Sequence, residues 1–128
     1  MPRMTAQMSN DMTEPTRPLT ALLLDGLRHG DAPVLIDRDG AVARPEFAGW
    51  VAAQLAVLRG HGLAPGARVA LHGTASPALI ATLVACLLQG LVIVPVDADL
   101  PAARKQLILD LSLPALVLDF SQDGLDVP

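Results

Sequence analysis

Between Ser76 and Pro101 the sequence reads SPALIATLVACLLQGLVIVPVDADLP, an apolar run that changes its chemistry at Gly90. Ahead of that glycine stand Ala, Leu, Thr, Val and Cys over the length of a helix; behind it come Leu91, Val92, Ile93 and Val94, short and mostly β-branched. Branched side chains suit a pleated strand, and a strand apolar at every position is one covered on both faces. The stretch therefore predicts a buried helix that delivers the chain into a buried strand. Ser76-Pro77 supplies an N-cap and a residue whose fixed φ suits the first turn. Gly90 supplies the residue that can take positive φ just past the last turn. Pro95, which has no amide donor, is expected to end the strand.

Pro77 to Val96 carries no charge, and its length is close to the roughly 20 apolar residues that cross a bilayer. Gly90 and Pro95 near one end, the lack of flanking Lys or Arg on both sides and the lack of a Trp or Tyr belt argue against a span. A helix inside a three-layer α/β domain is apolar on nearly all sides without any membrane.

A chain of 128 residues is long enough for one domain with its own core. Its aromatic side chains are Phe47, Trp50 and Phe120, too few and too scattered for a base-stacking platform. A net charge of -4 leaves no basic footprint, so nucleic acid is not an expected partner. Cys86, the single cysteine, lies within the apolar helix and reads as a small core residue of a cytoplasmic protein.

Residues 1–18 are polar, hold three prolines and have no apolar block, which predicts a disordered leader and no signal peptide. Residues 19–28 suggest a short amphipathic helix ending near Gly30. Val34 to Ile36 form a short strand, Asp37 to Gly40 a turn, and Ala41 to Ala43 the antiparallel return of a hairpin. Pro45 opens a helix with Phe47, Val51, Leu55 and Leu58 on one face, stopped by Arg59-Gly60-His61-Gly62. A turn through Pro65-Gly66 leads to a strand at Arg68 to Leu71, the loop His72 to Ser76, and then the helix, Gly90 and the Leu91 strand. A helix after Leu100-Pro101 carries Leu107, Ile108 and Leu111, and Ala115 to Leu118 form the next strand. Strands that alternate with helices imply crossovers, hence an α/β fold: a mostly parallel sheet with helices on both faces and a short hairpin near the start. The unit is expected over residues 19–120, with a polar tail at 121–128.

Residues with chemical potential fall mainly on the loops. Gly60, Gly62 and Gly66 follow a helix and precede a strand, the reverse of the order a phosphate cradle needs. His72, Thr74 and Ser76 follow a strand, where open α/β sheets bind ligands, and could donate hydrogen bonds; as N-cap and loop residues they have a purely structural use as well. Asp97 and Asp99 are paired carboxylates past a strand end, a place where Asp commonly serves a turn or a cap. His29 and His61 lie near helix ends, and no His or Cys pair has metal-ligand spacing. Taken alone, the residues give an α/β domain and no reaction, and no catalytic, cofactor-binding or metal residue is assigned.

As a set, VARPEF (42–47), LRGHGLAPGARVAL (58–71) and the run from Ser76 to Leu118 resemble the N-terminal part of an adenylate-forming enzyme, most closely the adenylation domains of nonribosomal peptide synthetases. The match runs from Val42 to Leu118 without a gap, and PGxRVAL, VPVD and LPxxR are specific together. Leu88-Gln89-Gly90 replaces the lysine, alanine and glycine of the family pattern, Ile93 its tyrosine, Ala103 the glutamate before Arg104, and Ala67 the aspartate before Arg68. Asp97, Pro101 and Arg104 persist and are expected to hold loop geometry.

The resemblance implies an AMP-forming ligase that joins a carboxylate to ATP, releases pyrophosphate and passes the acyl group to a thiol. ATP and Mg are thereby implied for the complete domain. The family's ATP-binding loop, adenine and ribose contacts and catalytic lysine lie beyond the matched region, and with them the acyl pocket. The expectation is thus a fragment that binds no cofactor and is inactive by itself, with the rest of the domain or a synthetase subunit as its partner. The alternative is a non-catalytic remnant that docks on a synthetase, or on itself, through a bare sheet edge.

Overall fold

The computed structural model describes residues 18–30, 32–37 and 40–121. The expected leader as far as residue 17, turn residues Arg38 and Asp39, and tail residues 122–128 lie outside the described residues. Among the described residues there are four helices and five strands: α1 (Leu19–Arg28), β1 (Leu35–Asp37), β2 (Gly40–Val42), α2 (Arg44–Gly60), β3 (Arg68–Gly73), α3 (Pro77–Leu88), β4 (Val92–Asp97), α4 (Ala102–Ser112) and β5 (Leu116–Asp119). β1 and β2 pair antiparallel as the expected hairpin, with Leu35 opposite Val42. The other three strands form a parallel sheet in the order β4-β3-β5.

That order explains how the helices are distributed. From β3 the chain crosses to β4 on one side; from β4 it crosses back past β3 to β5 on the other. Crossovers between parallel strands keep one hand, so a reversal of direction moves the connecting helix to the opposite face. Leu79 and Leu83 of α3 accordingly stand over Leu71, Ile93 and Pro95. Ala102, Lys105 and Leu109 of α4 stand over His72, Val96 and Val117 on the other side.

The α3 face carries the main core. Phe47, Val51 and Leu58, at helical spacing along α2, meet Ala81, Ala85 and Cys86 of α3, and the cluster continues into Val69 and Leu71 of β3 and Leu116 of β5. Ala81 and Ala85, one turn apart, keep the α3 surface low enough for α2 to approach. Each fully buried Val or Leu contributes roughly 1.5–3 kcal/mol. The ends of α3 are as expected: the Ser76 hydroxyl accepts from the Leu79 amide at 3.2 Å, and Gly90 follows the helix with φ of 71°. α4 is different, because none of its residues is buried. Leu107 and Leu111 point away from the sheet, 50% and 76% exposed.

Pro95 does not end its strand. β4 runs from Val92 to Asp97, with Pro95 opposite Leu71 in register. The Val92 amide donates toward β3, to Ala67 O at 2.9 Å, and successive residues of a strand alternate direction. The amides of Val94 and Val96 therefore also face β3, whereas position 95 faces the open side of an edge strand, where a missing donor costs nothing. Pro95→Val should change stability by less than about 0.5 kcal/mol. Val94→Pro, which removes a ladder donor one residue earlier, should cost more than about 1 kcal/mol. Urea unfolding of the two variants checks this, and equal losses would contradict the alternation.

Candidate functional site

In an open parallel sheet, ligands collect where neighbouring strands send their following loops to opposite faces. β3 and β4 are such a pair, because the loop after β3 leads to α3 and the loop after β4 leads to α4. A cleft of about 330 Å³ opens there, lined by Gly73, Thr74 and Ala75 from the first loop, Asp97 and Asp99 from the second, and apolar side chains of α3 and the sheet. Thr74, Asp97 and Asp99, singled out from sequence, thus come together. Ser76 does not join them chemically, since its hydroxyl caps α3. Asp97 is also engaged: its Oδ1 accepts from the Asp99 amide at 3.0 Å and closes an Asx turn.

The walls of this cleft suit a small, largely apolar group. They hold two carboxylates, one hydroxyl and no cation, which does not fit a triphosphate. Among the described residues no group of three or more His, Cys, Asp or Glu side chains could hold a metal ion. Gly62 and Gly66 take positive φ, 64° and 83°, in the connection from α2 to β3, in keeping with a plain loop. His61 is the C-cap of α2, and His29 lies 3.8 Å from Asp25 within one exposed helical turn. Pro101 is the N-cap of α4, and the Arg104 amide donates to its carbonyl at 2.9 Å.

His72 is not a loop residue. β3 extends through it to Gly73, and its side chain is buried. The imidazole Nδ1 lies 2.8 Å from Asp119 Oδ1, and both side chains are about 95% buried. The same Oδ1 accepts from the Ser121 amide at 2.9 Å, and the His72 carbonyl accepts from the Phe120 amide at 2.7 Å. An ionised carboxylate can only accept, so Nδ1 carries the proton of this bond. The register His72↔Asp119 sets both side chains on one face of adjacent strands. Gly73 completes the joint: a Cβ there would stand 3.0 Å from the Phe120 carbonyl carbon, and its φ is 141°. Asp119 escaped the sequence reading because its partner is 47 residues away; a polar residue directly after an apolar strand, ALVLD, is the signal that matches the polar end of RVALH.

Cys86 is buried in the core, and loss of solvation pushes its thiol up to about 11. A thiol so placed holds almost no thiolate at neutral pH, which agrees with a packing role.

The model of the AMP-binding enzyme family matches residues 25–126. The chain belongs to this family. Among solved structures it is similar to a four-domain nonribosomal peptide synthetase, AB3403, bound to AMP and glycine, with 29% identity and a TM-score of 0.75 over 88% of this chain and 9% of that one. It is also similar to IdnL1, with 31% identity and a TM-score of 0.77 over 95% of this chain and 25% of that one. The N-terminal subdomain of NpsA from Klebsiella oxytoca matches with 26% identity and a TM-score of 0.73, over 86% of this chain and 29% of the other. No curated protein compared with the chain matches it. This AMP-binding-family chain therefore has the α/β architecture of the N-terminal subdomain of adenylate-forming enzymes, and it spans less than a third of each of these three relatives.

Asp119→Ala leaves the buried Nδ1 proton without an acceptor and should cost about 1–3 kcal/mol in urea unfolding. Asp119→Asn, which keeps an acceptor oxygen, should cost less; equal losses would contradict the bond. Cys86 should resist iodoacetamide in the folded protein at pH 8 and react promptly in urea. Its raised pKa also adds stability that is present below about pH 9 and lost as the pH rises toward about 11. Rapid stoichiometric labelling of the native protein would contradict both statements.

Proposed function

We propose that this chain is the opening portion of the N-terminal subdomain of an adenylation domain, with residues 19–120 as its packed unit. The activity it serves is that of the assembled domain: a carboxylate attacks the α-phosphorus of ATP, pyrophosphate leaves, and the acyl-adenylate then gives its acyl group to a thiol. The observation that carries this reading is a family match over 102 residues on a chain that covers 29% of a relative's N-terminal subdomain. Preorganised cations are what stabilise charge developing on a transferring phosphoryl group, and the β3–β4 cleft offers none. On this reading the chain contributes scaffold to the domain, and the ATP, Mg and carboxylate contacts belong to the remainder. A cytoplasmic location goes with it, and no described helix is long and apolar enough to cross a membrane.

A second reading, a docking remnant that pairs with a synthetase or with itself, is favoured by the open outer side of β4 and by exposed Leu107, Leu111 and Leu113. Sedimentation separates the two, since a monomer with no co-purifying partner counts against docking. For the leading proposal, the 128 residues alone should catalyse no carboxylate-dependent ATP–pyrophosphate exchange above background. Fused ahead of the remainder of an adenylation domain, they should support it. Exchange by the short chain alone would overturn the proposal.

A further inference from the structure

The face under α4 holds a cavity of about 250 Å³, several times the ~30 Å³ share of one water. Its floor is His72, Val96 and Val117, one residue from each strand, and its roof is Ala102, Lys105 and Leu109. It lies on the opposite face of the sheet from α3, away from the loop cleft. The imidazole gives an occupant no hydrogen bond, because its Nδ1 is spent on Asp119 and its Nε2 is shut off inside the protein. Gln106, at the side, has its amide nitrogen committed to Asp110 Oδ1 at 2.8 Å. Lys105 is what remains. Among the described residues it is the one charged side chain of a mostly apolar wall, it is half-buried, and its ammonium has neither an ion pair nor a hydrogen bond.

One cation beside an apolar cavity selects its occupant by charge and by shape. An ammonium ligand would be repelled by Lys105. A phosphate or another dianion needs several cations or donors around it, and this wall has a single cation. A wholly apolar molecule would cover the lysine and leave its charge unmatched. No acidic side chain in the first turn of α4 competes for the ammonium. We propose that this cavity is a binding site for a small monoanion with an apolar body, of the short-chain fatty-acid class, its carboxylate paired with Lys105 and its chain lying against Val96, Leu109 and Val117. The site is separate from the carboxylate that the assembled domain activates, since it needs neither ATP nor the remainder of that domain.

The test is titration of the complete 128-residue chain with sodium hexanoate, hexanol and hexylamine at one ionic strength, read on the amide spectrum. Hexanoate should give saturable shifts at Val96, Leu109 and Val117 and bind about fivefold more tightly than hexanol, the ratio that one half-buried charge pair supplies. Hexylamine should bind more weakly than either. Lys105→Met keeps an apolar stem and removes the charge; it should abolish the preference for hexanoate over hexanol while the amide spectrum stays dispersed. Lys105→Arg should keep that preference. If hexanol binds the unaltered chain as tightly as hexanoate, the site is only an apolar gap. If the hexanoate shifts fall on Thr74 and Asp99, the ligand occupies the loop cleft instead. Either result, or a preference that survives Lys105→Met, overturns the assignment.

Discussion

Everything in this structure hangs on β3, which hydrogen-bonds to a parallel neighbour on each side. Val69 and Leu71 direct their backbone toward β4, and Ala70 and His72 direct theirs toward β5, so the strand has no free side. Its side chains are equally committed: Val69, Ala70, Leu71 and His72 are each less than 5% exposed. A central strand fixes where the neighbours go, and the neighbours fix which face each helix takes. The reversal of direction at β4 puts α3 and α4 on opposite faces and opens the cleft between the loops that lead to them.

The same constraint accounts for the polar joint at the end of the sheet. A histidine in a fully covered strand needs a partner in the next strand or a place in water. Parallel pairing with β5 brings Asp119 beside His72, and Asp119 in turn gathers the Ser121 amide, so the chain leaves the sheet through a fixed turn. The close approach of Gly73 to Phe120 belongs to this joint as well. The two outer strands lack such closure, and α4 leaves Leu107 and Leu111 in solvent. Among the described residues the sheet is therefore paired on both sides at its centre and ends in the two edge strands β4 and β5.

How much of this could be read from the residues depends on how local each cause is. The α3 helix was legible because Ser76, Pro77 and Gly90 act within one turn of themselves, and α2 was legible from Phe47, Val51 and Leu58 at 3.6-residue spacing. The family was legible because PGxRVAL, VPVD and LPxxR keep their order and spacing. Pro95 signals a strand end in the sequence yet sits inside β4, because its tolerance depends on strand order, which no neighbouring residue encodes. The apolar run stops at Leu71 and so predicts a loop from His72; the strand continues to Gly73, with a carboxylate far along the chain satisfying the imidazole. The exposure of Leu107 and Leu111 has no local signal either, since α4 offers Ala102, Lys105 and Leu109 to the sheet instead.

Residue-resolved hydrogen–deuterium exchange addresses the central claim most directly, because it reads which way each amide of the sheet points. The account predicts slow exchange across Val69–His72 and at Val92, Val94 and Val96, with Ile93 and Asp97 on the open side of β4 exchanging near the rate of an unpaired amide. Protection of Ile93 and Asp97 equal to that of their neighbours would contradict it, since the outer edge of β4 would then already be paired.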